Sequence, residues 1–359
     1  MRKASSLNDL FSVTKKAVFY SVLFIGVFSL ILGSRTIRLY SSDAIISSDS
    51  TVLYLEEPVN LDQLLDELQD LDLQMDTDEF KWAASISGWR NFGRGRFEFS
   101  GSYSYDEFLS KIARGLQDPM PVTIPPGVDI GRLSQQLGNQ LMADSAGFAE
   151  IFKDSSELAL EFDLDGASLF GRMLPDTYHI YWTSSAEQVI RRILREFNQN
   201  VVNRYRVQIN ESDFNLNEIL TLASIVEWEA RNQDEKSKIS GLYLNRLNRN
   251  MYLQADPTVI YAVGERRRLL YEDYRIDHPY NTYLHVGLPP SPITNPDIAS
   301  IEAVLNPENH DFLFMVATPE GGHVFNETFE QHQAASSEWR RWIREQYRIR
   351  DERERQLNH

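Results

Sequence analysis

The chain has 359 residues, of which 42% are hydrophobic and 11% aromatic, so it can bury one or two ordinary cores, and two domains are expected. Its formal net charge of −16 argues against the phosphate backbone of a nucleic acid as a partner. The sequence contains no cysteine, which excludes disulfides, thiolate zinc sites and a cysteine nucleophile.

An apolar segment near the N-terminus predicts a membrane anchor. The run AVFYSVLFIGVFSLILG and the serine after it span residues 17–34 without a charge, which is the short end of what crosses a bilayer as a helix. The basic residues that precede it are Arg2, Lys3, Lys15 and Lys16. This bias of basic residues predicts a single-pass protein of the inner (plasma) membrane. Residues 1–16 would lie in the cytoplasm, and the chain after the anchor would lie outside it.

Two other interpretations of this segment fit less well. A cleaved signal peptide usually has a shorter apolar region, followed by an A-x-A-like site that is not evident here. A buried helix of a globular domain would be apolar on one face, whereas this run is apolar all round and has basic residues at both ends.

The segments after the anchor predict a linker and a small module. Residues 35–50 are rich in polar residues, with a serine-rich stretch at 41–50, and predict a tether. Residues 51–155 alternate strand-like and helical patterns, for example TVLYLEE followed by a run with leucines at 61, 64, 65 and 68. We expect an α+β spacer or binding module here.

The stretch LTLASIVEWEA sets two glutamates in an apolar run. Asn215 and Glu218 resemble a capping box, so we expect a helix that begins just ahead of this apolar stretch. Glu227 and Glu229 then fall at the two margins of an apolar arc, where partial desolvation raises the pKa of a carboxyl group toward that of a proton donor. An ion pair of Glu227 with Arg231 would instead lower this pKa, so the helix alone leaves a structural and a catalytic role open.

A long loop region after this helix predicts a polar groove. It includes YNTYLHVGLPPSPITNP, and loops of this length and composition usually line sites. Tyrosine and asparagine offer stacking faces and hydrogen bonds suited to sugar rings and amides. Asp256 precedes Pro257 ahead of this loop, and it either contributes to the groove or caps a helix that starts at PTVIYAVG.

Several ordered motifs carry a family resemblance: LPDTY, ASIVEWEA, NRL, LQADPTVIYA, YNTY, GLPPSPITNP and GGHVFNETFEQH. Together they resemble the endolytic murein (peptidoglycan) transglycosylases of the MltG type, the YceG-like family, over about residues 50–335. The chain departs from the family pattern at a few positions. Trp228 stands where lysine is common, Ser291 replaces the glycine of GLPPG, Asp297 replaces a frequent glycine, and TIPPG replaces TIPEG.

The resemblance implies an α+β architecture: a single transmembrane helix, a LysM-like glycan-binding module at residues 51–155 and a mixed α/β catalytic domain at residues 156–335. It implies that Glu227, in the ASIVE motif, is the helix-borne catalytic residue. The implied enzyme is a lytic transglycosylase that cleaves the MurNAc–GlcNAc β-1,4 bond within nascent strands and terminates their elongation. One acid suffices because the muramyl C6 hydroxyl replaces water and leaves a 1,6-anhydroMurNAc end, whereas glycoside hydrolases use two carboxylates.

The matched motifs also supply expected substrate contacts, namely Gln254, Asp256, Tyr280, Asn281 and Tyr283. Glu229 is a further candidate for a substrate contact. The alternative is that Glu229 is simply solvated or takes part in a salt bridge. His323 and His332 lie in matched motifs, but their spacing fits no metal pattern, and no metal or cofactor is expected. The expected partners are glycan strands, the membrane through residues 17–34 and peptidoglycan synthases.

Residues 336–359 mix charges with a few aromatic side chains and predict a solvated C-terminal helix. An alternative function stays open, a noncatalytic cell-wall-binding scaffold that keeps the groove without turnover. A hydrolase is a third alternative, and it would leave reducing ends in place of anhydro ends.

Overall fold

A computed structural model describes residues 3–230 and 232–357, and it divides the chain into two compact units. Unit 1 extends to Met120 and includes Tyr181–Thr183, and unit 2 holds Pro121–Ile180 and the chain from Ser184 onward. Arg2 of the predicted basic flank and Arg231 of the predicted ion pair lie outside the described residues.

Unit 1 combines helices with short antiparallel strands. Its elements are α1 (Lys3–Tyr40), β1 (Ile45–Leu55), β2 (Val59–Asn60), α2 (Leu61–Gln69), β3 (Leu73–Met75), α3 (Thr77–Ser87), β4 (Asn91–Phe92), β5 (Gly95–Tyr103) and α4 (Tyr105–Ala113). β1 lies between β3 and β5 in one sheet, and β2 pairs with β4 in another. Phe99 of β5 stacks on Phe108 of α4 at 4.1 Å between ring centroids, inside the buried core of this unit.

The N-terminal helix α1 is long and apolar enough over Lys15–Tyr40 to cross a bilayer, and its apolar window is not buried in the protein. The helix continues beyond residue 34, and β1 begins at Ile45, so the predicted linker at residues 35–50 differs from the structure. The reason is strand pairing, because Ile45 faces Met75 and Ser47 faces Leu73 across β1 and β3.

Unit 2 is mainly helical and has two small sheets. Its elements are β6 (Met120–Ile124), α5 (Ile130–Gln140), α6 (Ser145–Ile151), α7 (Glu157–Phe162), α8 (Gly166–Phe170), β7 (Asp176–Ile180), α9 (Ala186–Phe197), a π-helical turn (Asn198–Asn203), α10 (Arg206–Glu211), α11 (Leu216–Glu229), α12 (Lys236–Asn248), α13 (Asp256–Val263), α14 (Ile298–Leu305), β8 (Phe314–Ala317), β9 (His323–Asn326) and α15 (Phe329–Leu357), with short 3-10 turns at Gln233–Glu235 and Asp273–Arg275. β6 pairs with β7, and β8 pairs with β9. The whole chain is thus a mixed α/β protein.

The boundary between the units lies near Met120, earlier than the end of the predicted module at residue 155. α5 and α6 pack against each other, and α6 packs against α9, which places residues 130–151 in unit 2. The core of unit 2 is centred on α11, which contacts α12, α13 and α14. The C-terminal helix α15 begins at Phe329, seven residues before the predicted segment at 336–359.

Candidate active site

Helix α11 carries both glutamates of the apolar stretch in its last turn. Its N-cap Asn215 accepts hydrogen bonds from backbone N–H groups while Glu218 bonds back to the cap, so the predicted capping box is confirmed. Residues Ile219–Val226 are all buried, and the predicted apolar arc is therefore a fully buried segment. The helix ends at Glu229 because Ala230 adopts an extended conformation.

Glu227 is held by donors from two other helices. Its Oε2 accepts hydrogen bonds from Lys236 Nζ at 3.0 Å, Ser300 Oγ at 2.7 Å and the backbone N–H of Asp297 at 3.2 Å. Its side chain is only 9% exposed, so the predicted desolvation is present. The cation beside it is Lys236, which the sequence did not indicate.

Glu229 lies in different surroundings, two residues further along α11. Its Oε1 accepts a hydrogen bond from the hydroxyl of Tyr243 on α12, at 3.0 Å. Burial raises the pKa of Glu229 to about 7, and the Tyr243 hydrogen bond opposes this shift without cancelling it. Asp256 adds to the rise through its negative charge, whereas Arg246 acts against it. Glu229 is thus a carboxyl group suited to carry a proton near neutrality.

A cavity of about 290 Å³ opens beside Glu229. Polar side chains dominate its wall, and three of the predicted substrate contacts, Gln254, Asp256 and Tyr283, lie there with Glu229. The other lining residues are Leu242, Tyr243, Arg246, Leu253, Met315, Ala317, His323 and His332. The structure therefore brings four of the predicted residues to one polar cavity.

Asp256 faces its neighbours through its carboxylate instead of capping a helix. It is the first residue of α13, whose N-cap is Ala255 without a side-chain cap. Its Oδ1 accepts hydrogen bonds from the hydroxyls of Tyr283 at 2.6 Å and Tyr274 at 3.2 Å. Burial raises the pKa of both tyrosines, so they stay hydroxyl donors at neutral pH.

Gln254 and Arg246 shape the floor of the cavity. Gln254 has a φ of 49°, a left-handed conformation that residues other than glycine adopt rarely, which fits a site where the surroundings fix the backbone. The Arg246 guanidinium donates to the backbone oxygens of Leu253 at 2.8 Å and Leu313 at 2.6 Å. Burial lowers the pKa of Arg246, and it is a positive group close to Glu229.

The structure does not place Tyr280 and Asn281 on this cavity. The Asn281 side chain is buried and donates to the backbone oxygens of Tyr274 at 3.1 Å and Ile276 at 2.9 Å. Its Oδ1 accepts the N–H of Tyr283 at 3.0 Å. Tyr280 bonds to the hydroxyl of Ser291. Their role as substrate contacts stays a prediction, and the contacts found here are structural.

The two histidines of the matched motifs line the cavity in different ways. His323 Nδ1 lies 2.9 Å from Glu235 Oε2, while His332 stacks on Phe314 with ring centroids 5.2 Å apart. Burial lowers the pKa of His332. Tyr243 and Arg246 were absent from the predicted site. Arg246 falls in the NRL motif, whereas a tyrosine on a buried helix face carries no functional signal in sequence.

Comparisons with known proteins identify the family. The sequence model of the YceG-like family matches residues 47–338, most of the chain. An endolytic murein transglycosylase of Bacillus subtilis is 29% identical over 276 residues, which are 72% of this chain and 76% of that protein. One from Streptococcus pneumoniae is 29% identical over 278 residues, which are 68% of this chain but 50% of that protein.

A crystal structure of a YceG-like protein from Listeria monocytogenes superimposes with a TM-score of 0.55 and 26% identity, over 80% of this chain and 99% of that chain. The two proteins are therefore similar in fold as well as in sequence. Because the family model covers far more than half of the residues, this chain belongs to the YceG-like family.

Proposed function

We propose that this chain is a membrane-anchored endolytic peptidoglycan lytic transglycosylase, and that Glu229 is its general acid. The relatives named endolytic murein transglycosylase support the enzyme class and the substrate. The observation that carries the proposal is a buried glutamate whose pKa is raised to about 7, facing a cavity lined by Gln254, Asp256 and Tyr283.

The choice between the two glutamates depends on their hydrogen-bond partners. A general acid must hold a proton near neutral pH and present it to the substrate. Three donors converge on Oε2 of Glu227, so this oxygen acts as an acceptor inside the protein. Glu229 accepts one described side-chain hydrogen bond, from Tyr243, and lies at the cavity. Catalysis by Glu227, implied by the motif, stays a prediction, and we favour Glu229.

The proposed reaction needs one acid and no water. Glu229 donates its proton to the oxygen between MurNAc C1 and the GlcNAc that leaves, and the C1–O bond breaks. The muramyl C6 hydroxyl oxygen then bonds to C1, and its proton returns to the Glu229 carboxylate. The products are a strand with a 1,6-anhydroMurNAc end and a strand with a free GlcNAc hydroxyl, and the enzyme regains its starting state.

The other side chains of the cavity can support the proton transfers and bind the substrate. Tyr243 binds the carboxylate form of Glu229 and stabilises it between the two proton transfers. The side chains of Gln254, Asp256 and Tyr283 offer polar groups to sugar hydroxyls and amides. Arg246, buried nearby, counters part of the negative charge of Glu229 and Asp256.

The remaining parts of the chain suit action close to a membrane. Residues 17–34 of α1 would anchor the chain with its N-terminus in the cytoplasm and unit 2 outside, where nascent strands are made. The part of unit 1 that follows α1 would bind glycan in a LysM-like manner, and synthases of peptidoglycan are the expected partners. Cutting nascent strands there would terminate their elongation.

A product assay tests the proposal. The full chain in detergent is incubated with uncrosslinked glycan strands, and the new ends are identified by mass spectrometry. We expect 1,6-anhydroMurNAc ends from the native chain, none from Glu229→Gln, and native yields from Glu211→Gln, whose side chain is exposed on α10. Reducing ends would indicate a hydrolase, and strand binding without new ends from the native chain would indicate a scaffold.

A further inference from the structure

A buried lysine joins two acids beside the candidate active site. Lys236 Nζ lies 3.0 Å from Glu227 Oε2 and 2.8 Å from Asp297 Oδ1, and the lysine side chain is only 3% exposed. Asp297 is the N-cap of α14, where its Oδ1 also accepts the N–H of Ser300 at 2.7 Å. A charge this deeply buried is stable only when it is paired, and here two carboxylates pair with it.

The Glu227 carboxylate connects one helix end to another. It lies in the last turn of α11, where the partial negative charge of the helix end disfavours an acid. The same oxygen receives the N–H of Asp297 and the hydroxyl of Ser300 at the N-terminus of α14, where an acid is favoured. Lys236, at the start of α12, supplies the opposite charge.

This network acts on the part of α11 that carries Glu229. The hydrogen bond from Ala230 N–H to the Val226 oxygen closes the last turn, and the final carbonyls of a helix have no helical partners. Tertiary contacts must therefore hold this turn in place. α12 touches it at two points, first where Lys236 meets Glu227 and again where Tyr243 meets Glu229.

We infer that Glu227, Lys236 and Asp297 form a clamp that positions Glu229, so that Glu227 is a positioning residue and not the proton donor. This inference rests on the proposed function of Glu229. By fixing α12 and α14 against the last turn of α11, the clamp sets where the Glu229 carboxyl group lies relative to Tyr243 and the cavity. Its members lie outside the cavity wall itself.

The test measures coupling between the two charged partners. The full chain in detergent is assayed as Glu227→Gln, as Lys236→Met and as the double variant, with melting temperatures recorded for each. We expect each single change to lower kcat by about 10- to 100-fold because a misplaced acid reacts slowly, with KM within about threefold of native. The double variant should be no slower than the slower single variant, since both changes break one contact.

Two milder changes keep the test informative if the buried charge left by Lys236→Met prevents folding. Lys236→Arg keeps a cation that can reach both acids, and it should recover most of the native kcat. Ser300→Ala removes one donor to Glu227 and should give a smaller loss in kcat than Glu227→Gln. A clamp predicts this order of effects, with kcat changing more than KM.

Other outcomes would overturn the clamp. If Glu227→Gln abolishes turnover while Lys236→Met leaves it native, Glu227 itself carries the chemistry. If the variants only melt at lower temperature, with native kcat per folded molecule, the network is merely structural. Glu229→Gln is assayed in parallel, because activity retained by that variant would refute the role of Glu229 as the acid. Coupling between the changes at positions 227 and 236 tests the clamp separately.

Discussion

Tyr243 donates its hydroxyl hydrogen to Oε1 of Glu229 over 3.0 Å, and both side chains line one cavity. The hydrogen bond favours the ionised glutamate, whereas burial favours the protonated one. Burial has the larger effect, since the pKa of Glu229 is raised to about 7. The pair thus sets the pH at which this carboxyl group can act as an acid.

We expect Tyr243→Phe to shift the alkaline limb of the activity profile to higher pH. Without the hydroxyl the carboxylate loses its donor, so the pKa of Glu229 rises further and the acid stays protonated longer. Loss of the donor should also slow turnover at the optimum by about fivefold, equivalent to a hydrogen bond of about 1 kcal/mol. The measurement is kcat/KM between pH 5 and pH 9, with Tyr271→Phe, at a largely exposed tyrosine, as control.

Asp256→Asn should shift the same limb to lower pH. The negative charge of Asp256 raises the pKa of Glu229, and the amide removes that charge while it can still accept from Tyr274 and Tyr283. The two variants together form a matched pair with opposite signs. Shifts in the same direction, or none in either, would contradict the placement of Glu229 as the titrating acid.

Stability should also report the titration of Glu229. The unfolded chain releases this proton near pH 4.5, and the folded chain near pH 7, so the folded state binds more protons between these values. The free energy of unfolding therefore falls as pH rises through this window, and the loss is complete above pH 7. At about 1.4 kcal/mol per pKa unit, the difference between 4.5 and about 7 corresponds to about 3 kcal/mol.

Glu229→Gln removes this cost because it carries no proton to lose. Its melting temperature should exceed the native value by several degrees at pH 8, and the difference should shrink at pH 5. Glu211→Gln should show no such pH-dependent difference. A variant that is inactive yet more stable at alkaline pH is the expected signature of a buried catalytic acid.

Asn281→Ala should destabilise the chain instead of only weakening substrate binding. It would leave the backbone oxygens of Tyr274 and Ile276 without a donor inside the protein, at a cost of about 2–3 kcal/mol. Thermal unfolding measures this loss, and Asn309→Ala, at an exposed position, serves as control. An unchanged melting temperature with a higher KM would instead support the predicted role in binding.

Much of the local structure could be predicted from the sequence. The leucine spacing at residues 61–68 predicted α2, whose buried residues are Leu64, Leu65 and Leu68. The capping box at Asn215 and Glu218 predicted the start of α11, which begins at Leu216. These features depend on residues within one or two turns of each other. The predicted linker failed because β1 pairs with strands that come later in the chain.

The candidate site was predicted only in part. Motif resemblance pointed to α11 and to Gln254, Asp256 and Tyr283, which the fold gathers at one cavity. It also listed Asn281, whose amide supports the loop from within. A sequence pattern shows which polar residues accompany a site, and it does not show whether a side chain points into the cavity or toward the backbone.

By itself the sequence determined the apolar helix near the N-terminus, the start of α11 at its capping box and the family motifs, because each depends on neighbouring residues. Tertiary structure decided what surrounds each glutamate of α11. Lys236 and Ser300 reach Glu227 from 9 and 73 residues away, and Tyr243 reaches Glu229 from 14 residues away. The proton affinity of a carboxyl group depends on such surroundings, which form only when the distant segments pack together.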